Sequence, residues 1–147
     1  MEGRLMRSEE KGSKEKSIVL LNNLENLLSG KMLDVVSTFG ELTITISEKV
    51  SKESFLLLRD HEKFSFDTLI DLCGLDCSGL KGITDKFGGR FCVVYHLLST
   101  TNNQRLRVKI YCSGSGAPKT SSVIDLWPSA QWFEREAFDL FGIQFSG

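Results

Sequence analysis

The apolar positions of the chain change period several times, and each change predicts an element. Leu20, Leu21, Leu24, Leu27 and Leu28 fall at i, i+1, i+4, i+7 and i+8, opposite a face of Asn, Glu and Lys. That single stripe predicts an amphipathic helix from Ser17, a suitable N-cap, to Leu28, ended by Ser29-Gly30. Leu42, Ile44 and Ile46 alternate with Thr43, Thr45 and Ser47, which predicts a half-buried strand. Met32–Val36 is a further short strand candidate. Glu48–Asp60, carrying Phe55, Leu56, Leu57 and Leu58, reads as a helix, and so does Phe64–Leu72; Leu75–Leu80 carries a weaker pattern. Both alternating sets of Phe91–Leu98 are apolar, as in a strand covered on both faces. After a polar loop, Leu106, Val108, Ile110 and Cys112 alternate with Arg105, Arg107, Lys109 and Tyr111, giving a hairpin partner with one polar side. Ser122–Leu126 reads as a last short strand. Pro128 then opens a final helix that Gly142 closes, the usual placement of these two residues.

Residues 1–16 mix five basic and four acidic residues without an apolar run, so they read as a disordered tail ahead of one domain at 17–147. Helices interleaved with mostly antiparallel strands predict an α+β two-layer sandwich, a mixed or antiparallel sheet packed with helices. The 147 residues are enough for one real core. A net charge of −1 supplies no long-range attraction to nucleic acid or to an anionic membrane. No apolar run approaches the roughly 18 residues that span a bilayer. Membrane contact is therefore expected only through a partner, and the cytoplasm is the default compartment.

The final helix holds the candidate chemistry. At roughly 100° per residue, Phe133, Ala137, Leu140 and Phe141 share an arc of about 100° that is expected to face the sheet. Trp132 and Phe138 flank it, and Glu134 projects between Ala137 and Phe138, on the apolar side. A carboxylate buried there must be hydrogen-bonded or paired, or it keeps its proton. Arg135, Glu136 and Asp139 form the remaining polar strip, with Arg135 and Asp139 at pairing distance. This strip is either a solvated surface or part of an interface in which Trp132, Glu134, Arg135, Glu136 and Asp139 reach a partner. Trp and Arg are common interface anchors. A catalytic pair, Glu134 and Asp139, lacks an accompanying nucleophile or cofactor motif. Arg105 and Arg107, with Lys109, are either a solvated strand face, which also discourages edge pairing, or a docking surface for an acidic partner.

Cys73 and Cys77 are spaced CxxxC, Cys92 and Cys112 sit in predicted strands, and the histidines are His61 and His96. A zinc or iron–sulfur site usually takes about four well-spaced ligands, so reduced, buried thiols are the expectation. His96 reads as a core histidine, and Tyr95 needs a partner for its hydroxyl. The loop Ser113–Lys119 is Gly-rich but lacks the spacing of a phosphate-binding loop.

The run from Trp127 to Ile143 resembles the signature of the 30-kDa subunit (the C subunit) of proton-pumping NADH:quinone oxidoreductase, respiratory complex I. It carries Glu134-Arg135-Glu136, then Asp139, Leu140 and Phe141. Val93–Ser99, Arg105–Lys109 and Phe64–Asp76 resemble the family's preceding blocks, in order, and the likeness covers roughly residues 17–147. Two departures stand out. Cys77 occupies a place where the family has an aromatic residue. The His-Pro-Asp-Leu-Arg-Arg-like run and the extended tail that follow the glycine in the family are not in this sequence. The resemblance implies a peripheral-arm structural subunit that assists electron transfer from NADH to quinone, coupled to proton translocation by the whole complex. It implies no cofactor in this chain, with NADH, flavin, iron–sulfur clusters and quinone belonging to other subunits. The implied partner is chiefly the large quinone-site subunit, on the cytoplasmic side of the bacterial inner membrane. The equivalent domain of a membrane-bound hydrogenase or another complex I-like enzyme is the second expectation. A free-standing thiol enzyme built on Cys73 and Cys77 is the third.

Overall fold

The structure is a computed structural model that describes the backbone of residues 2–113 and 116–147 and the side chains of residues 11–80, 82–113 and 116–147. Helix α1 (Glu2–Leu27) leads into strand β1 (Met32–Thr38), which turns back as β2 (Glu41–Ile46). Phe39 and Gly40 make that turn with φ of 52° and 79°, the left-handed pair that a two-residue hairpin needs. A single 3-10 turn (Glu48–Val50) precedes α2 (Ser51–Asp60). Strand β3 (Thr68–Asp76), helix α3 (Lys81–Phe87) and the hairpin β4 (Phe91–Ser99) and β5 (Gln104–Tyr111) follow. The chain then forms β6 (Lys119–Ser121), α4 (Ala130–Phe141) and β7 (Gln144–Ser146).

Five strands form one sheet in the order β1-β2-β5-β4-β3. The β2–β5 pair is parallel and the other three are antiparallel, so the sheet is mixed, as the α+β reading predicts. Register puts Ile44 beside Val108, Val108 beside Tyr95, and Tyr95 beside Leu72, so one face is a continuous apolar row. Leu20 and Leu24 of α1, Leu28 just past its end, and Phe55 and Leu58 of α2 belong to the same core. On the other face, α3 covers one end: Phe87 stacks on Tyr111 at 4.6 Å, above Cys77, Cys92 and Val94. The rest of that face, with Arg105, Arg107 and His96, stays partly open.

Several expectations are corrected. Ser17 does not cap a helix start; its hydroxyl lies 2.9 Å from the Ser13 carbonyl, one turn back, and 2.8 Å from the Gly40 carbonyl, so the helix runs through. The helix predicted over Phe64–Leu72 is instead a connection anchored by buried Phe64 and Phe66, followed by β3. A register shift between Leu69 and Asp71 accounts for the difference. The extra residue lets Leu69 and Leu72 both enter the core, a helix-like spacing produced by a bulged strand. Ser122–Leu126 is not a strand; the strand lies earlier, at β6, which pairs in parallel with β7. His96 is not a core histidine but a partly exposed residue of the open face, beside Arg107 and Asp71 in register.

Helix α4 lies along β3. The Ser129 hydroxyl is 3.5 Å from the Leu69 carbonyl at one end. At the other end, a methyl built on Gly74 would lie 2.7 Å from Cδ2 and 3.1 Å from Cε2 of the Phe141 ring and 3.0 Å from Ile143 Cδ1. Gly74→Ala is therefore expected to cost about 1–3 kcal/mol through overpacking. A urea unfolding midpoint equal to that of the parent would contradict this contact.

Candidate functional site

Both ends of α4 are fixed. Ahead of it, Trp127 is buried, donates its indole N–H to the Phe66 carbonyl at 3.1 Å, and meets Phe55 edge-on at 5.7 Å. Behind it, Gly142 takes the left-handed φ of 71° and donates its N–H to the Phe138 carbonyl at 2.8 Å, a left-handed helix cap. Ile143 is then fully buried, and β7 joins β6. These anchors set the rotation of the helix.

Glu134 fixes the rotation further. It is 4% exposed; Oε2 accepts from the Ser122 hydroxyl at 2.8 Å and Oε1 from the Val123 N–H at 2.8 Å. Burial pushes its carboxyl up from the ordinary value, and the two hydrogen bonds oppose that rise. The same turn is braced by Lys52, which pairs with Asp125 and donates to the Ser122 carbonyl at 2.7 Å. Glu134 is therefore committed inside the chain, which corrects its place among the partner-facing residues. Ser122 and Val123 carry no sequence mark of this role, because the pairing is tertiary. Tyr95 and Thr120 are buried nearby in the same core, and neither hydroxyl has a well-formed hydrogen bond.

The sheet-facing line of α4 is Ala130, Glu134 and Ala137, with Phe133 and Phe141 partly buried. Leu140, expected on that line, is 67% exposed. The helix rides so close to β3 that alanines occupy the contact, and the Glu134 clamp turns Leu140 outward. Trp132 at 72% and Phe138 at 50% exposure are also on the outside. Trp132, Arg135, Glu136, Asp139 and Leu140 line one shallow depression of about 340 Å³. The expected Arg135–Asp139 pair is not formed; no ion pair among the described residues involves α4. Three charges and two large apolar groups thus share a surface, and the charges have no ion-pair partner among the described residues.

Arg105 and Arg107 do not join that surface. They lie on the open sheet face, opposite Leu106, Val108 and Ile110. Arg107 is already engaged, 3.2 Å from Glu41 and 3.4 Å from the Thr43 hydroxyl.

The cysteines form no exposed pair. Cys73 is on β3 and Cys77 just beyond it, so the helix-face geometry that CxxxC would give is absent. All four thiols are free, and burial raises each of them, Cys92 and Cys112 to about 12. Alkylation of Cys92 and Cys112 near neutral pH is expected to be at least about a hundredfold faster in denaturant than in the folded chain. Equal rates in a timed thiol assay would contradict that environment. Among the described residues no group of three or more His, Cys, Asp and Glu is placed to hold a metal ion, and no helix is long and apolar enough to cross a membrane.

Residues 44–147 match the family described as respiratory-chain NADH dehydrogenase, 30 Kd subunit. The chain is 46% identical over 124 residues to the C subunit of NADH-quinone oxidoreductase from Thiobacillus denitrificans, covering 84% of this chain and 62% of that protein. It is 47% identical over 127 residues to the same subunit of Methylibium petroleiphilum, covering 84% and 63%. For Burkholderia mallei the figures are 45% over 126 residues, 85% and 62%. The chain thus spans somewhat less than two thirds of the length of these relatives. Its fold is shared by a chain of the membrane-bound sulfane sulfur reductase, an archaeal respiratory membrane complex, with a TM-score of 0.67 at 18% identity over 88% of this chain and 69% of that one. The sequence blocks, the fold around α4 and the match over residues 44–147 agree: the chain belongs to the respiratory-chain NADH dehydrogenase 30 Kd subunit family.

Proposed function

We propose that this chain is a structural component of an NADH-quinone oxidoreductase, one that assembles and positions other subunits and has no active site of its own. Its partners are other peripheral-arm subunits, chiefly the large one that holds the quinone site. NADH, flavin, iron–sulfur clusters and quinone are held by those other chains. It reaches the cytoplasmic side of the membrane through them. The observation that carries this reading is the outer face of α4, where Trp132 and Leu140 are largely exposed beside Arg135, Glu136 and Asp139. Large apolar groups flanked by unpaired charges favour burial against a partner over solvation.

The catalytic alternative has less support, since Glu134 is sealed in the core while Asp139 points away from it. The thiol alternative meets four thiols held in their neutral form. A place in a membrane hydrogenase or other complex I-like enzyme is disfavoured by the NADH-quinone oxidoreductase name shared by the relatives at 45–47% identity. Affinity capture of the chain from detergent-solubilised membranes, with identification of the co-purifying chains, separates these readings. NADH-binding and quinone-site subunits are expected together. Hydrogenase subunits in their place, or none of these chains, would overturn the proposal.

A further inference from the structure

Phe39 sits at the tip of the β1–β2 hairpin and is fully exposed, beside a largely exposed Ile18 of α1. Its φ of 52° lies in the left-handed region, where a bulky side chain is strained and where a two-residue hairpin selects Asn or Gly. A side chain this exposed gains no packing among the described residues to offset the strain. Strain of this kind collects where a protein meets a ligand or a partner. The tip is braced on α1: the Ser17 hydroxyl lies 2.8 Å from the Gly40 carbonyl, and a methyl built on Gly40 would lie 3.2 Å from Ser13 Oγ. Two depressions of about 640 Å³ each adjoin α1, and Phe39 lines both. One is apolar around Ile18, Leu21 and Leu42, with Lys14 as its charged residue among those described. The other holds Lys16 and Arg105, and its carboxylate, Glu41, is already 3.2 Å from Arg107. Lys14, Lys16 and Arg105 take part in no ion pair among the described residues. Glu15 falls on the side of the helix away from Leu20 and Leu24 and lines neither depression.

We infer that Phe39 is a knob that enters an apolar socket of a partner subunit, with Asp or Glu residues of that partner rimming the socket and meeting Lys14, Lys16 and Arg105. The inference rests on the subunit reading above but not on the outer face of α4. Strand β3, which carries α4, is one edge of the sheet, and β1 is the other. The chain is then held by its surroundings at both edges. An aromatic side chain sealed in a pocket is the usual form of an interface anchor. The acidic rim follows from the cations on either side of the knob, since complementary charge fixes the register of docking. A second copy of this chain could offer the Glu136 and Asp139 side of α4. Contact between two such unlike faces propagates from copy to copy, however, so a different chain is the better occupant. An anionic bilayer fits less well, because a net charge of −1 gives the chain no long-range attraction to it.

The test places photo-crosslinking benzoylphenylalanine at Phe39, which keeps a ring at the tip, in cells whose membranes carry the assembled complex. Crosslinked peptides are then sequenced. The expected product is one stretch of a single partner chain, with Asp or Glu within it. Lys14→Glu/Lys16→Glu is expected to reduce its yield at least about tenfold. Phe39→Asn, which gives the hairpin its preferred residue, is expected to melt no lower than the parent while its amount in the complex falls at least about tenfold. A Phe39→Asn chain that melts well below the parent and still fills the complex would make Phe39 a structural residue and overturn the knob. A chain that co-migrates with the complex but gives no crosslink from Phe39 would also overturn it, and would leave the docking role of α4 standing. Crosslinks to lipid, or between two copies of this chain, would overturn the inference in favour of a bilayer or of self-association. A partner stretch without Asp or Glu would overturn the acidic rim. A chain absent from the complex would overturn both the knob and the subunit reading.

Discussion

Glu134→Ala is expected to lower the melting temperature of the chain by roughly 10 °C. The carboxylate joins α4 to the turn after β6 through two hydrogen bonds, from Ser122 and Val123. Removing it leaves a buried N–H and a buried hydroxyl without their acceptor. Hydrogen bonds to a charged group contribute about 1.5–3 kcal/mol each, so a loss of about 3 kcal/mol is a moderate expectation. For a chain of this size that corresponds to roughly 6–12 °C. Glu134→Gln keeps one carbonyl oxygen for the Val123 N–H and should retain most of the stability. The pH dependence separates charge from shape. Burial raises the Glu134 carboxyl in the folded chain, so its linked contribution is fully present below the ordinary glutamate value of 4.5 and is lost as pH rises through the raised one. Measured against Glu134→Gln, the parent chain should gain stability as pH falls through that window. Parallel pH profiles with an unchanged melting temperature for Glu134→Ala would mean the clamp is not formed.

The second large effect falls on assembly and spares folding. Trp132 and Leu140 are 72% and 67% exposed, so truncating both removes little buried surface from the chain itself. Such surface changes usually stay within about 0.5 kcal/mol, which is a melting shift of about 2 °C or less. If the two side chains are buried by a partner, each truncation costs about 2 kcal/mol of association. Together that is roughly a thousandfold in affinity. Titrating binding of the chain to the purified remainder of the complex would measure it. The contrast with Glu134 is the useful feature: one residue of α4 holds the fold, while its neighbours two and six positions away hold a partner.

Much of this is legible in the sequence, and the failures have physical causes. The alternation of β2 and β5 and the Pro128-to-Gly142 frame of α4 are local signals, and local signals survive folding. The bulge at Ile70 is also local, but it converts a strand into the spacing of a helix, so β3 reads as helical. Ser17 has the chemistry of an N-cap, yet its hydroxyl meets Ser13 and Gly40 carbonyls within a longer helix. The wheel of α4 separates Glu134 from the charged strip but places Leu140 inside. Hydrophobicity alone ranks Leu140 above Ala130, while the close approach to β3 at Gly74 selects the smaller side chain. Charge alone groups Arg105 and Arg107 with the α4 residues, and only the sheet register shows that they lie on another face. The Ser122 and Val123 contacts with Glu134 have no local signature at all.

The central claim is that the outer face of α4 is a docking surface. It is tested most directly by native gel electrophoresis of membranes carrying Trp132→Ala/Leu140→Ala, with the amount of chain in the oxidoreductase band compared with the parent. The account predicts at least a tenfold loss from that band, with the melting temperature of the variant chain within about 2 °C of the parent. A variant that folds normally and fills the band to the parental level would contradict it.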